Sequence, residues 1–129
     1  MEEKIEVGSI VTGLYKTGKY VGEVTEIRPS HYLVRVLAVL KHPTQGDLHN
    51  PNQTDVALFH ERRALAYREQ TNVPKKMVHI FDEGVPDYKE SLAKALSAQI
   101  EKYEGDESSF AQQCLVHLKN LEKDYFPQT

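Results

Sequence analysis

The hydrophobic pattern of this chain changes period once. Before residue 41, Val, Ile, Tyr and Leu are dense and interrupted by turn residues, whereas from Tyr88 onward apolar side chains recur at every third or fourth position. A period near two belongs to strands and one near 3.6 to helices, so the chain predicts a sheet first and helices second, an α+β fold. Its 129 residues make one core with at most a small appendage. That length buries about two thirds of the unfolded surface, so folding needs no disulfide or metal staple.

Residues 10–16 and 19–27 read as two strands joined by a hairpin turn at Thr17-Gly18, where glycine supplies the positive φ that such a turn requires. Arg28-Pro29-Ser30 ends the second strand, because proline cannot donate to a ladder. A third strand over 31–40 places Tyr32, Val34, Val36, Ala38 and Leu40 on one face. Leu33, Leu37 and Val39 lie on the other, interrupted only by Arg35. A strand apolar on both sides predicts that the helical half of the chain covers its outer face.

Residues 41–55 carry Pro, Gly, Asn and Asp without periodicity and form a long loop, the kind of segment that often carries function. Residues 64–69 alternate as a further strand, and 56–60 form a short one. Asn72-Val73-Pro74 reads as the start of a short helix over 75–81. Asp87 followed by Glu90 has the spacing of a helix cap, and Tyr88, Leu92, Leu96, Ile100 and Tyr103 build one apolar stripe over 87–104, ended by Gly105. Asp106 or Ser108 caps a last helix over 108–125, striped by Phe110, Cys114, Leu118, Leu121 and Tyr125 and closed by Pro127. The short connection predicts an antiparallel helical hairpin. The expected division is therefore a β unit over 1–72 containing the 41–55 loop, and a helical part over 73–129.

Sixteen basic and nineteen acidic residues give a net charge of −3, and the acidic excess lies entirely after residue 70. No polybasic field exists for general capture of nucleic acid. Cys114 is the single cysteine, which excludes an internal disulfide and a multi-thiolate zinc site; its place on a helical stripe marks it as a packed, inert thiol. His42, Asp47, His49 and His60 have metal-ligating chemistry but match no metal spacing, and loop histidines more commonly face solvent or bond to turns. Ser30-His31, His49 and Asp47 lack the setting of a nucleophile and its base, and no phosphate-cradling or Rossmann glycine pattern is present. The chain predicts no catalysis and no cofactor. The one basic concentration, Arg62, Arg63 and Arg68 followed by Lys75 and Lys76, suits a protein surface better than RNA, because the aromatic interleaving of single-strand grooves is weak.

The segment GSIVTGLYKTGKYVGEVTEIRPSHYLVRVLAVLKHPTQGDLHNP (8–51), with FHERRALAYREQTNVP (59–74) and VPDYKESL (85–92), closely resembles the kinase-associated protein B family of endospore-forming bacilli. That resemblance implies an SH3-like antiparallel β-barrel followed by a helical hairpin packed on it. It also implies a non-enzymatic regulator that binds and promotes a sporulation sensor histidine kinase, a membrane enzyme feeding the phosphorelay. The family has been described as lipoproteins, yet Met1 to Val7 contains no apolar signal segment and the only cysteine is at 114. A cytoplasmic location is expected, with membrane contact only through the kinase.

For a kinase-binding surface, Leu48, His49 and Asn50 at the loop apex, with Arg62, Arg63 and Tyr67 nearby, are the expected contacts, since Arg and Tyr are common interface anchors. The alternative is an SH3-like nucleic-acid-binding module, because one fold serves several functions; the net acidity opposes it. The dispersed histidines also yield a direct expectation. Elemental analysis of the purified protein should find no stoichiometric metal, and a tightly held transition ion would contradict that.

Overall fold

A computed structural model describes residues 4–46 and 61–127. Strands β1 (Ile10–Tyr15), β2 (Gly18–Ile27) and β3 (His31–Lys41) form an antiparallel meander. The edges are β4 (Gln70–Pro74), paired with β3, and β5 (Val78–Ile80), paired with β1, giving the order β4-β3-β2-β1-β5. A single 3₁₀ turn over Lys75–Met77 links the two edges. The sheet curls around Val11, Val24, Val34, Val73 and Val78 but does not close, so it is barrel-like in curvature rather than a complete barrel.

Two helices follow. Helix α1 (Tyr88–Tyr103) is capped by the Asp87 carboxylate, which accepts from the Glu90 amide, and α2 (Ser109–Tyr125) by the Ser108 hydroxyl, which accepts from the Ala111 amide. These are the expected helices with the expected caps. They pack on each other through Leu96, Tyr103, Ala111, Cys114 and Leu118. Helix α1 also lays Leu92 and Ala95 against Tyr20, Val36 and Val39, so the sheet's outer face is covered as a doubly apolar β3 requires.

Three local expectations are corrected. The hairpin turn uses Lys16-Thr17, because Gly18 already pairs with Tyr15; the positive φ, 54°, belongs to Lys16. Gly18 serves packing instead, since a Cβ there would meet the Tyr20 ring at 2.6–2.9 Å. Residues 64–69 do not form a strand; the strand is Gln70–Pro74, displaced along the chain. The helix over 75–81 is replaced by the 3₁₀ turn and β5, so the sheet runs to Ile80, past the expected limit of 72. The short strand over 56–60 and most of the 41–55 loop lie outside the described residues.

Pairing of β2 with β3 is interrupted in a way that bears on function. Val21 pairs with Ala38 but Gly22 with Val36, and Tyr20 pairs with Val39 but Lys19 with Lys41, so Leu37 and Leu40 are extra residues in β3. Such bulges re-aim the side chains they carry. Gly22 permits the first of them: a Cβ there would lie 2.5 Å from a Val34 methyl and 2.6 Å from the Arg35 carbonyl oxygen. Arg35, which breaks the apolar run of β3, pairs at 3.1 Å with Glu23, its cross-strand partner.

Gly22→Ala should therefore destabilise the protein by about 1–3 kcal/mol through overpacking against backbone. Gly84→Ala, where nothing lies within 4 Å of the added carbon, should stay within about 0.5 kcal/mol. Urea midpoints of the two variants test this pair.

Candidate functional site

The segment 61–69 is irregular, yet it is fixed to the body of the protein as a ledge by three tyrosine hydroxyls. The Leu65 amide donates to Tyr20 at 3.2 Å, the Tyr88 hydroxyl donates to the Leu65 carbonyl at 2.5 Å, and the Ala64 amide donates to Tyr125 at 2.9 Å. Gln45 clasps Arg62 from the side, accepting from its amide at 2.8 Å and donating to its carbonyl at 3.0 Å. At its far end the ledge joins the sheet: the Arg68 amide bonds the Val36 carbonyl and the Val36 amide bonds the Glu69 carbonyl. The backbone groups that a strand would place in a ladder are thus satisfied by side chains from β2, α1 and α2.

Behind the ledge, His42 is fully buried. Its Nδ1 lies 2.9 Å from the Pro43 carbonyl, which only accepts, so Nδ1 carries the proton and Nε2 accepts from the Tyr125 hydroxyl at 3.0 Å. Ala64 N–H, Tyr125 O–H and His42 form one directed chain in which every group is used. Gln99 of α1 donates to the His42 and Pro43 carbonyls, drawing the helix into the same cluster. His42 is therefore a structural imidazole, hydrogen-bonded to the neighbouring backbone, one of the two alternatives expected of a loop histidine, and it has no free nitrogen for a metal. Burial lowers its pKa from the ordinary 6.5, against a smaller opposing effect of the Pro43 bond.

Outside the ledge runs an apolar groove of about 580 Å³ lined by Leu37, Tyr67, Val85, Pro86, Asp87, Tyr88 and Lys89. Tyr67 is 55% exposed and leans on Tyr88 with ring centroids 5.7 Å apart. Pro86 also borders a second depression with Leu40, Ala95 and Ala98, so apolar surface continues across the start of α1. The two bulge residues of β3 line one depression each. Val85 and Leu40 are 43% and 39% exposed.

The expected contact residues divide accordingly. Tyr67 stands in the groove. Arg63 lies beside it on the ledge, its guanidinium 5.2 Å from the Tyr125 ring and 2.8 Å from Asp124. Arg62 reaches the Gly46 carbonyl through Nε at 3.3 Å and faces a different cleft. Leu48, His49 and Asn50 lie outside the described residues, as do Asp47 and His60. The sequence reading missed Leu37, Leu40, Val85 and Pro86. The Val-Pro preceding a capped helix was their only local signal. Cys114 is buried among the helices, and burial raises its thiol pKa, with a hydrogen bond to Tyr103 opposing. Among the described residues no helix is long and apolar enough to cross a membrane.

A family model described as "Kinase associated protein B" matches residues 15–126. A curated protein of Bacillus subtilis (strain 168), named "Kinase-associated lipoprotein B", is 58% identical over 121 residues, covering 94% of each chain. The crystal structure of kinase-associated protein B from Bacillus cereus superposes with a TM-score of 0.81 at 50% identity, covering 95% of this chain and 98% of that one.

The buried imidazole gives stability a pH dependence of known sign. A histidine whose folded pKa is lowered binds a proton more readily when unfolded, so its contribution is complete above 6.5 and is lost as the pH falls through that value toward the lower folded one. Urea midpoints should decline on acidification from about pH 7.5 to about pH 5, and His42→Gln, which cannot titrate, should show a shallower decline.

Proposed function

The chain belongs to the kinase-associated protein B family, and on that premise we propose that it is a non-enzymatic cytoplasmic regulator that binds a sporulation sensor histidine kinase and promotes its autophosphorylation. The observation that carries this reading is the groove beside the ledge. It presents a half-exposed tyrosine and uncovered aliphatic side chains on a backbone held rigid from behind. A preorganised aromatic anchor loses little side-chain entropy on binding.

Charge around the groove favours a partner patch with an apolar centre and carboxylates at its margin. Lys89 lines the groove and Arg68 adjoins Tyr67; neither has an ion-pair partner among the described residues. Binding one kinase conformation better than another suffices to change its activity, because a ligand shifts an equilibrium by its affinity difference between the two states. Membrane contact in this reading is made through the kinase.

Purified protein added to purified kinase, with binding and autophosphorylation followed together, tests the proposal. Tyr67→Ala should weaken binding by about tenfold or more. The double change Arg62→Ala and Arg63→Ala should also weaken it while leaving thermal stability almost unchanged, because the one ion pair lost among the described residues is solvent-exposed. Equal loss of binding and stability would assign these side chains to folding. Full binding by Tyr67→Ala would exclude the groove.

A further inference from the structure

A separate cleft of about 320 Å³ opens between the ledge and the β1–β2 hairpin. Its lining is rich in donors. Lys16 and Arg62 supply cations, Arg63 being paired with Asp124, and Tyr15, Thr17 and Tyr20 supply hydroxyls. We propose that this cleft binds a phosphoryl dianion, as inorganic phosphate or as the terminal group of a phosphomonoester.

Several features converge on an anionic ligand rich in acceptor oxygens. Thr17 accepts from the Thr44 amide at 2.9 Å and Tyr20 accepts from the Leu65 amide at 3.2 Å, so each hydroxyl retains its own proton for a further acceptor. Tyr20 stays protonated at neutral pH, since burial pushes its pKa up to about 12. The guanidinium of Arg62 is engaged through Nε alone among the described residues, leaving the forked pair of Nη groups that suits phosphate oxygens. Lys16 has its ammonium 5.5 Å from the Tyr15 ring centroid and no carboxylate partner among the described residues.

Each of the two carboxylates in the lining has a hydrogen-bonding partner of its own among the described residues. Glu61 pairs with His117 at 3.0 Å, and Glu69 accepts from the Ala66 amide at 2.8 Å. What remains toward the cleft is an excess of donors, which fits the three terminal oxygens of a phosphoryl group better than the two of a carboxylate. The backbone of Lys16 adds an independent indication. Its φ of 54° lies in the left-handed region that glycine adopts without cost, yet the position carries a long cationic side chain. The volume exceeds that of a bare phosphate, leaving room for part of an ester group.

Isothermal titration of the full chain with inorganic phosphate, phenyl phosphate and benzoate tests this site. Saturable phosphate or phenyl phosphate binding that weakens with added salt, and is weakened about tenfold by Arg62→Ala, is the expected result. Lys16→Gly should bind about tenfold more weakly while melting no lower than the parent, since it relieves the turn. Equal affinity for both phosphates would identify the free anion as ligand, and tighter phenyl phosphate binding an ester; either supports the site. Absence of saturable binding, benzoate binding as tight as phenyl phosphate, or unchanged affinity in both variants would overturn it.

Discussion

The hydroxyl of Tyr125 is where three distant parts of the chain are joined. It accepts from the Ala64 amide and donates to the imidazole of His42, while its ring supports the guanidinium of Arg63. The His42 imidazole in that chain is removed from water and requires its partners: an unpaired buried donor or acceptor costs about 1–3 kcal/mol. Through this contact the last turn of α2 fixes the residues that follow β3 and the ledge that carries Tyr67. The groove therefore depends on a bond made on the far side of the backbone that forms it.

The apolar character of that groove has a separate origin in strand geometry. A regular β3 would alternate its side chains between the two buried faces and leave little for a partner. Two extra residues break the alternation, and Leu37 and Leu40 emerge beside the start of α1. The first bulge in turn rests on Gly22 in the neighbouring strand, where no side chain fits. A surface feature is thus specified by a buried glycine that never touches it.

This explains which parts of the molecule were legible in the sequence. The helical hairpin could be read with its caps because Asp87, Glu90 and Ser108 act within a few residues of their partners. The meander was legible because alternation and turn chemistry are also local. Residues 64–69 alternate like a strand, but their amides are taken by Tyr20 and Tyr125, 45 and 61 residues away in sequence, and no local pattern announces such bonds. The turn into β5 was misread for a related reason: Asn72-Val73-Pro74 resembles a helix start, yet Val73 is held in the sheet's core. Arg62, Arg63 and Tyr67 were identifiable by residue type. The assignment of Tyr67 to the groove and of the two arginines to a separate cleft was not, because it depends on the path of the backbone between them.

The ledge has one more property, which concerns motion. Its first half is secured by side-chain hydroxyls and the Gln45 amide rather than by a ladder, so it opens, at the cost of those bonds, without breaking any pairing within the five strands. Such a unit opens at lower free energy than the whole molecule unfolds. The Ala64 and Leu65 amides would then exchange with deuterium ahead of those in β2 and β3, and a ligand seated in the groove or the cleft would slow that exchange from the surface inward.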